Sequence, residues 1–226
     1  MPANQPTAHS QCVYHSRMLF ASAPQELAPD VWLLHGFALG LPLREGISAV
    51  SAVAAFRHLV VPSGQPMAVA MTNCGPLGWT SSAQGYRYLP YDPDTQLPWP
   101  AMPGAFSALA RKAAAAAGWP GFAPDACLVN RYASGAGLGL HQDRDEHDLR
   151  APIVSVSIGA SCKFILGGIK RSSPVQSIAL HDGDVMVWGG ASRLVYHGVR
   201  PLPKNSALRY NLTFRNAGRE YLPARG

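Results

Sequence analysis

The sequence predicts a mainly β protein with flanking helices (α+β), its C-terminal half a sandwich or jelly roll. Two observations predict it. From residue 126 onward, six short runs rich in Val, Ile, Phe and Thr alternate with Gly, Asp and Pro turns, as at His181-Asp-Gly. Upstream of them lie two stretches with helical character, separated by a segment dense in Pro, Gly, Tyr and Trp.

Taken in order, residues 1–25 are polar and irregular and read as a tail. Over residues 43–61, Ile47, Val50, Val53, Ala54 and Phe56 recur at helical spacing and predict an amphipathic helix. Residues 62–103 carry turn signals at Pro62-Ser-Gly, Asn73-Cys-Gly, Tyr91-Asp-Pro and Leu97-Pro-Trp-Pro. A loop-rich stretch of that length inside a compact protein is usually functional. Pro103 opens a second helix through the alanine-rich residues 106–117, and Gly118 with Pro120 ends it. Strands are expected at 126–132, 153–158, 163–166, 178–180, 184–188 and 209–215. In the second of these Ser155 and Ser157 oppose Val154, Val156 and Ile158, and Ile153 blurs the alternation.

At 226 residues the chain is one domain, or one with a substantial extension. With 47% hydrophobic and 14% charged residues it is too apolar to be disordered. A net charge of +6 suits an anionic partner such as nucleic acid. No apolar run is long enough to span a bilayer, so no membrane partner is expected. Cys12, Cys74, Cys127 and Cys162 show no C-x-x-C pair or metal-ligand spacing, which points to structural thiols and a cytoplasmic setting. Ala21-Ser22-Ala23 resembles a signal cleavage site, but His15 and Arg17 interrupt the apolar stretch that should precede it. Met18 is an alternative start. With no heptad or exposed apolar stripe, a monomer is expected.

The chemistry begins at His141-Gln142-Asp143. In an extended segment two residues apart point the same way, so the imidazole and the carboxylate share a face. His197, from a distant strand, would complete the two-His-one-carboxylate set that holds Fe(II) with positions open for oxygen and a cosubstrate. In 209–215 the same arithmetic sets Arg209, Asn211, Thr213 and Arg215 on one face, with Tyr210, Leu212 and Phe214 on the other. Two arginines beside an iron site can clamp a dicarboxylate, as an iron and 2-oxoglutarate dioxygenase requires. Asn130 and Tyr132 share a face for the same reason and would add neutral hydrogen-bonding groups. The competing reading makes His-x-Asp structural and pairs the arginines with surface acids.

Several strings go beyond generic chemistry: Ala70-Met-Thr-Asn-Cys-Gly-Pro-Leu-Gly-Trp79, Gln84-Gly-Tyr86, Leu128-Val-Asn-Arg-Tyr132, Leu140-His-Gln-Asp143, Gly189-Gly-Ala-Ser-Arg193, Tyr196-His-Gly198 and Arg209-Tyr-Asn-Leu-Thr-Phe-Arg215. From about the first helix to residue 218 they resemble, in order, the bacterial AlkB family, DNA repair dioxygenases that oxidatively remove N-alkyl groups from bases. The resemblance implies a double-stranded β-helix core at 126–218, a helical support and nucleotide-recognition lid at 26–125, and tails at 1–25 and 219–226. It assigns His141, Asp143 and His197 to iron and Arg209, Asn130 and Tyr132 to the distal carboxylate of 2-oxoglutarate. Arg215 and Asn211 would support the chelating end. On the substrate side it implies Trp79 and the His141 ring stacking on a flipped base, Tyr86 on the backbone, Asp145 at the amino edge, Met71 as pocket lining and Arg171 as a further contact. The plain alternatives are Trp79 and Met71 as core, and Asp145 beside Glu146 as a solvated acidic loop.

The activity so implied uses Fe(II), 2-oxoglutarate and O2 to demethylate bases such as 1-methyladenine and 3-methylcytosine, preferably in single-stranded DNA, releasing formaldehyde, succinate and CO2. Methylated RNA, a catalytically silent nucleic-acid-binding module and a cupin-like jelly roll without 2-oxoglutarate are the alternatives. Departures fall in the lid: Val60-Val-Pro-Ser-Gly-Gln-Pro-Met67 replaces an expected threonine and aromatic, and Pro76 a commoner histidine. They bear on backbone grip and strand preference rather than on iron chemistry.

Overall fold

Each strand segment expected downstream of residue 126 forms, and two helices cover one face of the resulting sheet. The computed structural model describes residues 23–218. The tail at 219–226, the first 22 residues of the N-terminal tail, the alternative start at Met18 and Cys12 lie outside the described residues. The elements run β1 (Gln25–Ala28), β2 (Val31–Leu34), α1 (Leu43–Val53), β3 (Ala70–Cys74), β4 (Gly78–Ser82), β5 (Gly85–Leu89), α2 (Gly104–Ala116), β6 (Ala126–Tyr132), β7 (Leu138–His141), β8 (Ile153–Gly159), β9 (Cys162–Leu166), β10 (Gln176–Leu180), β11 (Val185–Trp188), β12 (His197–Val199) and β13 (Arg209–Arg215).

Two antiparallel sheets make the jelly-roll core. The larger has the order β1-β2-β11-β8-β13-β6-β3 and the smaller β10-β9-β12-β7, while β4 and β5 form a separate hairpin. Strand alternation divides the apolar residues between two cores. Val154, Val156, Leu212 and Phe214 face outward and pack with Ile47 and Val50 of α1 and Phe106, Leu109 and Ala113 of α2. Between the sheets, Leu33, Leu128, Ile153 and Met186 meet Phe164, Leu166, Leu180 and Val199. Ile153, which blurred the alternation in sequence, thus belongs to the inner core.

Three expectations change. The first helix ends at Val53 rather than near 61. Beyond it the backbone pairs with β3: Arg57 N–H donates to the Met71 carbonyl at 2.9 Å and Met71 N–H to the Arg57 carbonyl at 2.7 Å. Backbone groups used there are lost to helix propagation. Residues 62–103 hold three strands, and β3 escapes a search for alternation because all five of its residues are buried. The larger sheet also draws β1, β2 and β3 from upstream of residue 126, and β1 begins inside the expected tail. The second helix agrees closely: Pro103 precedes its first residue, and Gly118, at φ +100, follows its last turn. No helix among the described residues is long and apolar enough to cross a membrane.

Candidate active site

The register of the smaller sheet brings the distant histidines together. His197 opens β12 directly opposite His141, the last residue of β7, and their rings lie 4.4 Å apart. Asp143 follows two residues beyond β7, its Oδ1 3.6 Å from His141 Nε2 and its Oδ2 3.8 Å from His197 Nε2. One ligand atom from each residue fits within 4.8 Å of the others. The second ring nitrogens are already engaged: His141 Nδ1 lies 2.9 Å from the Gly139 carbonyl and His197 Nδ1 3.1 Å from the Val195 carbonyl. That arrangement sets the tautomer which leaves Nε2 as a metal ligand.

Charge at the site suits a cation. Burial alone would raise the Asp143 carboxyl, but the Arg215 guanidinium and the two imidazoles outweigh it and hold the group well below the usual carboxylate range. Burial and the neighbouring His141 push His197 down to about 4, against the pull of Asp143, so it is neutral near pH 7. Arg215 donates from Nη2 at 2.7 Å and from Nε at 3.1 Å, both to Asp143 Oδ2. Burial would lower its affinity for a proton; the carboxylates of Asp143 and Glu146 reverse that and keep it charged.

A cavity of about 430 Å³ opens beside the triad. It is lined by every site residue read from the sequence: Met71, Trp79, Tyr86, Asn130, Tyr132, Asp145, Arg171, Arg209, Asn211 and Arg215, with the three triad residues. Alternation on β13 puts Arg209, Asn211, Thr213 and Arg215 on the cavity side, as predicted. Arg209 is 1% exposed, its guanidinium 4.7 Å above the Tyr132 ring. Its Nη2 donates to Ser157 Oγ at 3.1 Å, while Nε and Nη1 have no partner, and neither does Asn130 Oδ1. A buried guanidinium with two unsatisfied donors facing a cavity fits an anionic ligand. Burial keeps the Tyr132 phenol protonated. Asn211 is fixed by Ser155, Val156 and Asn130.

At the mouth, Trp79 stacks on Tyr86 at 5.3 Å and its Nε1 donates to Asp145 Oδ2 at 2.9 Å. Arg171 Nη1 holds the Leu140 carbonyl at 2.9 Å. Met71 both packs in the inner core and lines the cavity. The acidic loop divides: Asp145 is exposed, whereas Glu146 is buried, accepts from Tyr88 and Arg193, and is ion-paired with Arg215. Nothing local in sequence marks Tyr88; Arg193 closes one of the family-like strings and Glu146 reads as part of a solvated acidic loop, but the sequence assigns neither to the site. Ser155 and Trp188 also line the cavity; alternation on β8 would have found Ser155.

The donor set fits Fe(II) and the orphaned guanidinium fits a carboxylate cosubstrate. Comparison with known proteins agrees. The model of the 2OG-Fe(II) oxygenase superfamily matches residues 30–215. The alpha-ketoglutarate-dependent dioxygenase AlkB of Escherichia coli is 53% identical over 212 residues, covering 89% of this chain and 98% of that protein. Nucleic acid dioxygenase ALKBH1 of Mus musculus is 37% identical over 130 residues, which cover 56% of this chain and 33% of that protein. The solved structure of OsALKBH1 superposes with a TM-score of 0.71 at 28% identity, covering 85% of this chain and 99% of that one. With its His-Asp-His face, its buried arginine and that likeness over most of its length, the chain belongs to the AlkB family of 2OG-Fe(II) oxygenases and is an alpha-ketoglutarate-dependent dioxygenase.

Proposed function

We propose that the protein oxidatively demethylates N-alkylated bases, of the 1-methyladenine and 3-methylcytosine type, in single-stranded DNA. The observation that carries this reading is the continuity of one cavity from the triad to Trp79, Tyr86 and Asp145. Bound with 2-oxoglutarate, Fe(II) supplies the oxidant that hydroxylates an N-methyl group, with O2 and 2-oxoglutarate consumed to succinate and CO2. Loss of formaldehyde from the hydroxymethyl base restores the parent base.

The residues divide the work by position. His141, Asp143 and His197 hold the metal, the imidazoles through Nε2. Arg209, with Asn130 and Tyr132, binds the distal carboxylate through its unpaired Nε and Nη1. Arg215 and Asn211 fix the groups around the chelating end. Trp79, steadied by Asp145 and Tyr86, is a ready platform for a flipped base, and such stacking contributes roughly 1–3 kcal/mol. The alkylated ring is cationic, so the Asp145 carboxylate and the π face of Trp79 favour it over a neutral base. Tyr86 would contact the nucleic-acid backbone and Arg171 the substrate side, and both line the cavity. We place the enzyme in the cytoplasm as a monomer; the free, buried thiols of Cys74, Cys127 and Cys162 suit that compartment.

The test is purified protein with Fe(II), ascorbate, 2-oxoglutarate and a single-stranded oligonucleotide carrying 3-methylcytosine, followed by mass and by formaldehyde. Loss of one methyl group, dependent on both iron and 2-oxoglutarate, is expected. Succinate formed while the base stays methylated would refute the substrate. The mouse relative named a nucleic acid dioxygenase makes an RNA oligomer the natural competitor in the same assay.

A further inference from the structure

Behind Asp143 lies a buried carboxylate that the oxidation itself does not call for. The Glu146 side chain, 2% exposed, faces donors from three parts of the chain. The Tyr88 hydroxyl of β5 donates to Oε1 at 2.5 Å, Arg193 Nη2 donates to Oε2 at 2.9 Å, and Arg215 Nε of β13 lies 3.3 Å from Oε1. Arg193, itself 4% exposed, sends Nη1 to the Asp143 carbonyl at 2.6 Å and Nε to the Ala151 carbonyl at 3.0 Å. Asp143 is therefore gripped twice. Arg215 holds its carboxylate and Arg193 its backbone, and Glu146 anchors both guanidiniums. Two buried cations facing two buried anions balance, and removing one member would leave a charge uncompensated.

The remaining link leads out to the base pocket. Tyr88 sits opposite Trp79 in the β4–β5 hairpin, and Trp79 holds Asp145 through its indole N–H. Residues 143–146 thus touch the hairpin at Asp145 and at Glu146, and the metal face at Asp143. The hairpin belongs to neither large sheet, so these contacts are among the few polar ties fixing its position; Asn73 to the Trp79 backbone and Ser81 to Val60 are others.

We infer that Tyr88, Glu146 and Arg193 are positioning residues that tie the seat of the metal ligand Asp143 to the position of the β4–β5 hairpin, so that a base held by the hairpin sets the metal carboxylate. The identity of that base rests on the function proposed above; the tie between Glu146 and the metal site does not.

Tyr88→Phe removes the hydroxyl and little else, and Glu146→Gln keeps the shape while removing the charge. Each variant is compared with the wild type for thermal unfolding, for Fe(II) affinity, and for the visible charge-transfer absorption of the anaerobic Fe(II)–2-oxoglutarate complex with and without the 3-methylcytosine oligonucleotide. Succinate formed per base repaired is measured alongside. Tyr88→Phe should keep the wild-type unfolding temperature and oligonucleotide-free spectrum. Its spectral response to the oligonucleotide should shrink by at least half, and succinate per repaired base should rise. Glu146→Gln should bind Fe(II) about tenfold more weakly whether or not the oligonucleotide is present, the scale expected when a metal ligand loses its support. A wild-type spectral response and succinate ratio in Tyr88→Phe would overturn the inference, as would unchanged Fe(II) affinity in Glu146→Gln. A spectrum altered equally with and without the oligonucleotide in Tyr88→Phe would also overturn it, since that marks a purely structural hydroxyl. A wild-type enzyme that leaves the base methylated refutes the proposed substrate instead, and the Fe(II) affinity of Glu146→Gln still decides the role of Glu146.

Discussion

Arg209 and His197 show how burial sets the state of single side chains at the site. Arg209 is buried with two N–H donors unpaired, a state that costs several kcal/mol until an anion arrives. Arg209→Met, similar in length and apolar, should therefore unfold no earlier than the wild type without 2-oxoglutarate. It should also lose the thermal shift that 2-oxoglutarate gives the metal-loaded wild type, where saturation at one hundred times Kd contributes about 2.7 kcal/mol. An unchanged shift in scanning fluorimetry would take the cosubstrate away from Arg209. His197 has its pKa lowered from 6.5 to about 4 by burial and by His141. Between those values the unfolded chain binds a proton that the folded chain refuses, so stability falls as pH drops from 6.5 toward 4 and is flat in this respect above 6.5. Urea unfolding of metal-free protein across that window should show the loss, and His197→Gln should show less of it. Equal slopes in the two proteins would contradict the assignment.

Elements were legible in sequence where one face is polar and the other apolar. The bounds of β13 and β6 agree with the pattern to the residue, because Arg209, Asn211, Thr213 and Arg215 line the cavity while Leu212 and Phe214 meet the helices. Strand β3 was illegible for the opposite reason, being buried on both sides. Spacing alone paired His141 with Asp143 on a segment taken as extended, but the pairing of His197 with His141 depends on register set by the whole smaller sheet. The contacts that join Tyr88, Glu146 and Arg193 were not legible, although Arg193 closes one of the family-like strings, since Arg193 and Tyr88 lie 47 and 58 residues from Glu146 and meet it only through tertiary packing. Helix packing gives a prediction against propensity. Alanine in place of Gly46 favours an exposed helix by about 1 kcal/mol, yet its Cβ would sit 2.6 Å from the ring of Phe106. That ring is fully buried and packed edge-on to Phe214, so it has nowhere to go. Gly46→Ala should lose about 1–3 kcal/mol in urea unfolding, and a gain would mean that the two helices separate easily.

At the scale of the molecule, two cores stiffen one sheet from both sides, and the inner face of that sheet holds the chemistry. Helices on the outer face leave the cavity to open toward the hairpin rather than into the support. The residues proposed for the substrate come from the hairpin, β3, the loop after β7 and the loop between β9 and β10; those proposed for the metal from the smaller sheet and its ends; and those proposed for the cosubstrate from β6 and β13 of the larger. The three groups meet only in the folded chain, and the net charge of +6 suits a polyanionic partner. On this reading one cavity holds metal, cosubstrate and base together. A crystal structure with Mn(II), 2-oxoglutarate and a single-stranded 3-methylcytosine oligonucleotide, grown without oxygen, tests it most directly. The metal is expected on His141, Asp143 and His197, a carboxylate against Arg209 Nε and Nη1, and the methylated base against Trp79 with its methyl group toward the metal. A base bound outside the cavity, or a cosubstrate that leaves Arg209 unpaired, would contradict it.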